Sequence, residues 1–164
     1  MLLPDERYQR IFDIPLESLK DRGIRGLILD IDNTLTIHNS PNIDERTRKW
    51  LDRARELGFS LIILSNNTKK RVAPFANSIG IDFVFKGNKP LLSGARKCLE
   101  KLELSPKELG LIGDQIFTDV LCANRLGALS ILLEPIENEK FIFFRLKRYF
   151  EKIILRRASS PAKL

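Results

Sequence analysis

Asp30 and Asp32 stand on either side of a single residue, directly after the apolar run Gly26-Leu27-Ile28-Leu29 and just before Asn33-Thr34-Leu35. In extended chain, residues two apart project to the same side. Two carboxylates placed that way at the end of a buried strand repel each other unless a cation or a shared proton compensates. Asp-x-Asp-Asn also makes turns, but a turn needs neither the hydrophobic run in front nor Thr34-Leu35 behind. Three more polar groups follow apolar runs. Ser65-Asn66-Asn67-Thr68 comes after Ser60–Leu64 and offers either a helix cap or, with backbone N–H groups, an oxyanion site. Lys86-Gly87-Asn88-Lys89-Pro90 holds a lysine whose following proline favours an extended exit; a solvated lysine is the plain alternative and Lys86 the local rival. Gly113-Asp114 is followed by Asp119, an acid pair that reads either as metal ligands or as an N-cap and an ordinary helix residue. Oxygen ligands without His or Cys suit Mg²⁺, a hard cation that shares phosphate oxygens. A carboxylate nucleophile beside Mg²⁺, an acid partner, a hydroxyl and a lysine make up a phosphoryl-transfer site.

The elements that must position these groups are legible as an alternation. Gly26–Ile31, Ser60–Leu64, Ile81–Phe85, Leu109–Gly113 and Leu129–Leu133 are short continuous apolar runs of strand type. Between them lie helical patterns over Asp44–Leu57, Val72–Ile79, Leu92–Leu102 and Phe117–Leu126, with Gly58, Gly80 and Gly127 at three of their ends. Apolar strands alternating with helices predict an α/β fold, a five-stranded parallel sheet with helices on both faces. Such sheets bind ligands beyond the carboxyl ends of their strands, where Asp30, Asp32, Ser65, Lys89 and Asp114 all fall.

The 164 residues suit one domain with a core of its own. Two cysteines exclude a disulfide framework, and one histidine excludes any site needing two; His38 is read as a loop residue. No apolar run approaches the length of a membrane span, and Pro4-Asp5-Glu6 leaves no room for a signal-peptide apolar region, so a cytoplasmic protein is expected. The net charge of +7 favours anionic partners. It is concentrated after residue 139, where Lys140, Arg145, Lys147, Arg148, Lys152, Arg156, Arg157 and Lys163 face the lone acid Glu151. Residues 1–139 are therefore read as the catalytic core and 140–164 as a basic amphipathic C-terminal helix and tail. On a helix, Ile142, Phe143, Leu146, Tyr149, Phe150, Ile153 and Ile154 share one face and the charges, Glu151 included, the other, which Phe144 and Leu155 interrupt. Such a helix either packs its apolar stripe on the sheet domain or lies on an anionic membrane surface, making the protein peripheral on the inner face of the membrane.

In order and strand-end context, Asp30-x-Asp32-x-Thr34-Leu35, Ser65, Lys89 and Gly113-Asp114 with Asp119 resemble the four motifs of the haloacid dehalogenase (HAD) superfamily of phosphohydrolases. The intervals Thr36–Phe59 and Lys69–Lys86 are too short for a cap domain, which resembles the capless subfamily III. Phe12-Asp13-Ile14-Pro15-Leu16, Asp32-Asn33-Thr34, Ser65-Asn66-Asn67, Gly113-Asp114-Gln115 and Asn124-Arg125-x-Gly127 are similar to the YqeG-like group of subfamily IIIA. Cys122-Ala123 stands before Asn124 where the resemblance implies small, glycine-like residues. Relatives of that group are mitochondrial and chloroplast phosphatidylglycerophosphate phosphatases, so the resemblance implies a Mg²⁺-dependent lipid-phosphate monoesterase of phospholipid synthesis.

The resemblance also implies roles. Asp30 is the nucleophile that forms an aspartyl-phosphate, and Asp32 the general acid and base. Asp30, Asp114 and the Asp32 backbone carbonyl contact Mg²⁺, with Asp119 either a ligand or one shell further out. Ser65 binds a phosphoryl oxygen, Lys89 offsets charge, and Thr34 and Asn66 shape the phosphate loop. Two alternatives stand beside this: a phosphatase of nucleotides, nucleic-acid ends or phosphoproteins, and a non-catalytic module of the same fold. The intact acid set argues against the latter. The apolar stripe of the tail disfavours a nucleic-acid arm, which needs charge alone.

Overall fold

The structure, a computed structural model, describes residues 2–137 and 151–152. Six parallel strands form one sheet: β1 (Glu6–Tyr8), β2 (Gly26–Leu29), β3 (Ser60–Leu64), β4 (Asp82–Val84), β5 (Leu109–Gly113) and β6 (Leu129–Leu133), in the order β1-β6-β5-β2-β3-β4. The helices are α1 (Leu16–Asp21), α2 (Glu45–Glu56), α3 (Lys69–Ser78), α4 (Ser93–Leu102) and α5 (Leu121–Leu126). Five strands match the apolar runs. The sixth, β1, corrects the five-strand expectation. It is three residues long, reads Glu-Arg-Tyr, and joins the sheet edge by pairing Glu6 with Ile131 and Tyr8 with Leu133. Period and hydrophobicity cannot reveal so short a polar strand; an edge position needs neither.

The central strand β2 is buried throughout and hydrogen-bonded on both sides, Gly26 pairing with Ser60 of β3 and with Leu109 of β5. Its flanking layers are two apolar clusters. One packs α1, α2 and α3 around Leu27, Leu29, Ile63 and Ile112, and the other packs α4 and α5 around Ile28, Ile62, Leu64 and Leu111. Alternate residues of each strand thus serve opposite layers, which is why the strands read as unbroken apolar runs. Trp50 on α2 ties that helix to the segment just before α1 by donating its indole N–H to Ile14 O at 3.1 Å.

Helix ends follow local chemistry. Asp44 caps α2 by accepting from Thr47 N–H at 2.7 Å. Beyond β5, the helix expected over Phe117–Leu126 begins instead as a π-helical turn, Ile116–Val120, before continuing as α5. Such wide turns recur at functional sites, and here the turn carries Asp119. Of the helix and tail expected over 140–164, only Glu151 and Lys152 lie within the described residues, so the boundary at residue 139 lies outside them. Glu151 is helical and 4% exposed, accepting from Ile116 N–H at 3.1 Å. It does not sit on a solvated face as the helical pattern placed it.

Candidate active site

The carboxyl ends of β2, β3, β4 and β5 deliver the predicted groups to one edge of the sheet. Asp30 follows β2 directly and continues its ladder, its N–H donating to Ile112 O at 3.0 Å. Lys89 reaches it from the loop after β4. The ammonium Nζ donates to Asp30 Oδ1 at 2.9 Å and to Asp119 Oδ1 at 2.6 Å, and the lysine is 5% exposed. Lys89, not its rival Lys86, enters the site; Lys86 is exposed, with φ of 46°. Burial alone would lower the Lys89 pKa, but the adjoining Asp119 and Asp30 carboxylates outweigh it and raise it, so the ammonium is held charged. Burial pushes the Asp30 carboxyl up to about 6, against the opposing pull of Lys89.

Asp30, Asp114 and Asp119 each offer an oxygen within 4.8 Å of the others. Asp119 Oδ2 also accepts from Gln115 N–H at 3.1 Å, so both its oxygens are engaged, one by Lys89 and one by the loop of Asp114. A methyl group on Gly113 would coincide with the Asp119 carboxyl, so only glycine lets the π turn fold back on the strand end. Close approach recurs below Lys89, where a methyl on Gly94 at the start of α4 would strike the backbone of Gly87. With three carboxylates and no soft donor, the cluster fits a hard, oxygen-binding divalent cation such as Mg²⁺.

Ser65 is 4% exposed at the end of β3. Its Oγ accepts from Asn67 N–H at 3.1 Å, which leaves the hydroxyl proton to donate. Asn66 is committed to the backbone of Lys89: Nδ2 donates to Lys89 O at 2.9 Å and Lys89 N–H donates to Oδ1 at 2.7 Å. Its place is to hold the lysine loop. Thr34 is 2% exposed, and its Oγ1 has no hydrogen-bond partner among the described residues. His38 is exposed on the loop after β2.

Asp32 stands apart from this cluster. Its Oδ1 accepts from Arg71 Nη2 and from Asn39 N–H, each at 2.9 Å, and its Oδ2 lies 3.4 Å from Asn67 Nδ2. Arg71 and Asn39 meet Asp32 at the candidate site, and the sequence reading missed both. Arg71 follows Lys69-Lys70 at the start of α3, where three successive bases look like a solvated helix face, and nothing in the pattern marks the third. Cys98 and Cys122 are buried, and burial pushes their thiols up to about 12 and about 11, so neither is a nucleophile at neutral pH.

An aspartate bridged to a buried lysine, a second acid two residues on and a hydroxyl, all at strand ends of one parallel sheet, are the arrangement of a HAD-type phosphatase. A solved structure, a putative HAD superfamily (subfamily III A) hydrolase from Legionella pneumophila, shares the fold with a TM-score of 0.57 and 20% identity, covering 74% of this chain and 70% of that one. The profile of the mitochondrial PGP phosphatase family matches residues 1–137, and the chain belongs to that family. It is 38% identical to the probable phosphatase YqeG of Bacillus subtilis, over 93% of this chain and 89% of that protein. It is 28% identical to phosphatidylglycerophosphate phosphatase 1, chloroplastic/mitochondrial, of Arabidopsis thaliana, over 95% of this chain but 48% of that protein, about half its length.

Proposed function

We propose that this phosphatase is a Mg²⁺-dependent phosphomonoesterase acting through an aspartyl-phosphate, with phosphatidylglycerophosphate as its substrate. The observation that carries the chemistry is the buried bridge from Lys89 to Asp30 and Asp119, beside Asp114. Asp30 Oδ attacks phosphorus in line, and the bond from phosphorus to the leaving oxygen breaks as the new one forms. Lys89 keeps a positive charge against the nucleophile and the incoming phosphate, stabilising the charge that accumulates there. Ser65 donates its hydroxyl proton to a phosphoryl oxygen, and Thr34 shapes the loop beneath it. Asp32 protonates the leaving alkoxide, then takes a proton from the water that attacks the aspartyl-phosphate. Asp30, Asp114 and the Asp32 backbone carbonyl would hold Mg²⁺, whose charge offsets that of the phosphoryl oxygens. Asp119, with both oxygens engaged, orients Lys89 and ties it to the Asp114 loop.

The lipid part of the proposal is supported by the family and by the site's rim. Among the described residues the exposed large apolar side chains are Ile37, Phe85 and Leu91, at 41%, 37% and 57%. All three lie in loops beyond the strand ends that carry the catalytic groups. Lys69 stands 5.9 Å over the Phe85 ring, and Lys69, Lys70 and Lys86 are exposed beside it. Apolar and basic side chains around an uncapped site suit an anionic bilayer; the basic tail after residue 139 adds to that charge and would hold the protein against the membrane.

The test is a phosphatase screen of the purified protein against phosphatidylglycerophosphate in vesicles, nucleotides, sugar phosphates and phosphopeptides. Phosphatidylglycerophosphate should lead, chelation should abolish turnover reversibly, and Asp30→Asn should remove both turnover and phosphoenzyme. Preference for a nucleotide or phosphopeptide would overturn the lipid assignment, and turnover by Asp30→Asn would overturn the mechanism.

A further inference from the structure

We infer that Arg71 selects substrates whose leaving group carries its own negative charge. The inference rests on the proposed role of Asp32 as the acid that serves the leaving oxygen, and it adds a specificity residue to that role. Arg71 Nη2 donates to Asp32 Oδ1 at 2.9 Å, and the two side chains are only 15% and 17% exposed. The guanidinium therefore stands one contact beyond the point where the leaving oxygen departs. It is held there from behind as well, 5.3 Å over the ring of buried Phe75.

Steadying Asp32 does not by itself account for Arg71. Asn39 N–H already donates to the same oxygen, and Asn67 approaches the other. Arg71 has donors to spare: its Nε is buried and has no hydrogen-bond partner among the described residues. A buried donor without an acceptor is costly, on the order of 1–3 kcal/mol, and such groups in native structures normally find a partner. The planar fork of a guanidinium fits two oxygens of one phosphate. A phosphodiester or second phosphate on the leaving alcohol would supply them. Lys89 is committed on the nucleophile side, between Asp30 and Asp119, whereas Arg71 stands beside Asp32 on the leaving-group side.

The experiment compares two small soluble monoesters that share one alcohol: glycerol 1,3-bisphosphate, with an anionic leaving group, and glycerol 3-phosphate, with a neutral one. The wild-type protein should favour the bisphosphate. Arg71→Met should lower kcat/KM for the bisphosphate about 10- to 100-fold more than for glycerol phosphate, chiefly through KM, as expected for loss of a hydrogen bond to a charged group. Arg71→Lys, which keeps the charge but not the fork, should recover part of the discrimination. Binding of both compounds to the Asp30→Asn protein, with and without Arg71→Met, reads the same selectivity with no turnover. Equal losses on both compounds, or equal binding of both by the Asp30→Asn protein, would show that Arg71 merely positions Asp32 and would overturn the inference. If selectivity tracks Arg71 while phosphatidylglycerophosphate is not hydrolysed, the lipid assignment fails alone.

Discussion

The two aspartates of the Asp30-x-Asp32 pair live in opposite surroundings. Asp30 faces inward to a buried lysine shared with Asp119, beneath a sheet edge where every backbone position is fixed by neighbouring strands. Asp32 faces outward to Arg71, Asn39 and Asn67, groups lent by a loop and the start of a helix. On one side Asp30 shares a buried lysine with buried Asp119, a cluster in which each charge needs its partner; on the other the contacts of Asp32 come from a loop and a helix start and can be remade around a substrate. The division suits the chemistry. The transferred phosphoryl group is the same for every substrate, so the groups that meet it can be rigid and buried. The leaving alcohol differs, and the groups that meet it in the proposed mechanism lie where they can vary.

The comparison is broken most severely at Lys89. Lys89→Met removes the cation and leaves Asp30 and Asp119 facing each other in a buried site. Breaking a buried ion pair from one side costs about 3–5 kcal/mol. Activity should fall about 10²- to 10³-fold, as when a preorganised charge-stabilising group is lost. Denaturant unfolding at neutral pH and kcat on a small aryl phosphate measure the two effects. If stability were unchanged, the bridge from Lys89 to Asp30 and Asp119 would not be the structural centre of the inner side. Removing Arg71 should leave stability much closer to wild type, because its partner Asp32 keeps other donors.

A subtler break acts through backbone alone. In Gly113→Ala the new methyl competes for the space of the Asp119 carboxyl. Asp119 must shift, loosening Lys89 and the Gln115 N–H together. Loss of such an outer positioning contact typically costs about 10- to 100-fold in metal affinity or activity. Magnesium titration of activity should therefore move to higher concentration. An unmoved titration would show that Asp119 does not hold this loop.

The inner side was the more legible from sequence, for a physical reason. Strand ends in a parallel sheet are recognisable as the last residue of an apolar run, and the polar residue next to each run must lie at the sheet's carboxyl edge. Asp30, Ser65 and Asp114 are found that way; the same rule points to Lys86 after β4, and Lys89 is singled out by the proline that follows it and by the family motif. The outer side is made by tertiary approach. Arg71 and Asn39 meet Asp32 only because α3 and the loop after β2 converge, and neither has a local pattern. The same limit hid β1, a polar tripeptide that is a strand only because β6 offers it an edge. Asn66 was found but its role was not: its amide is spent on Lys89, a partner far along the chain.

Glu151 gives the smallest and last contrast, because it ties the C-terminal segment to the inner side. As the single acid among eight bases in the segment from Lys140 onward, it reads in sequence as one more solvated charge on a polar face. In the structure it is buried and accepts from Ile116 N–H, at the start of the π turn that carries Asp119. A carboxylate there also meets the N-terminal end of a helical turn, where negative charge is favoured. Glu151→Ala would leave a buried N–H without that acceptor, a loss of about 1–3 kcal/mol. Thermal unfolding should register it. Turnover should fall together on vesicle-borne lipid phosphate and on a small soluble phosphate, since the Asp114–Asp119 loop serves both. Substituting Lys152, the exposed neighbour, should leave the soluble substrate untouched. If Glu151→Ala instead weakened only vesicle binding, the segment would serve the membrane and not the loop, and the inner side would end at the sheet.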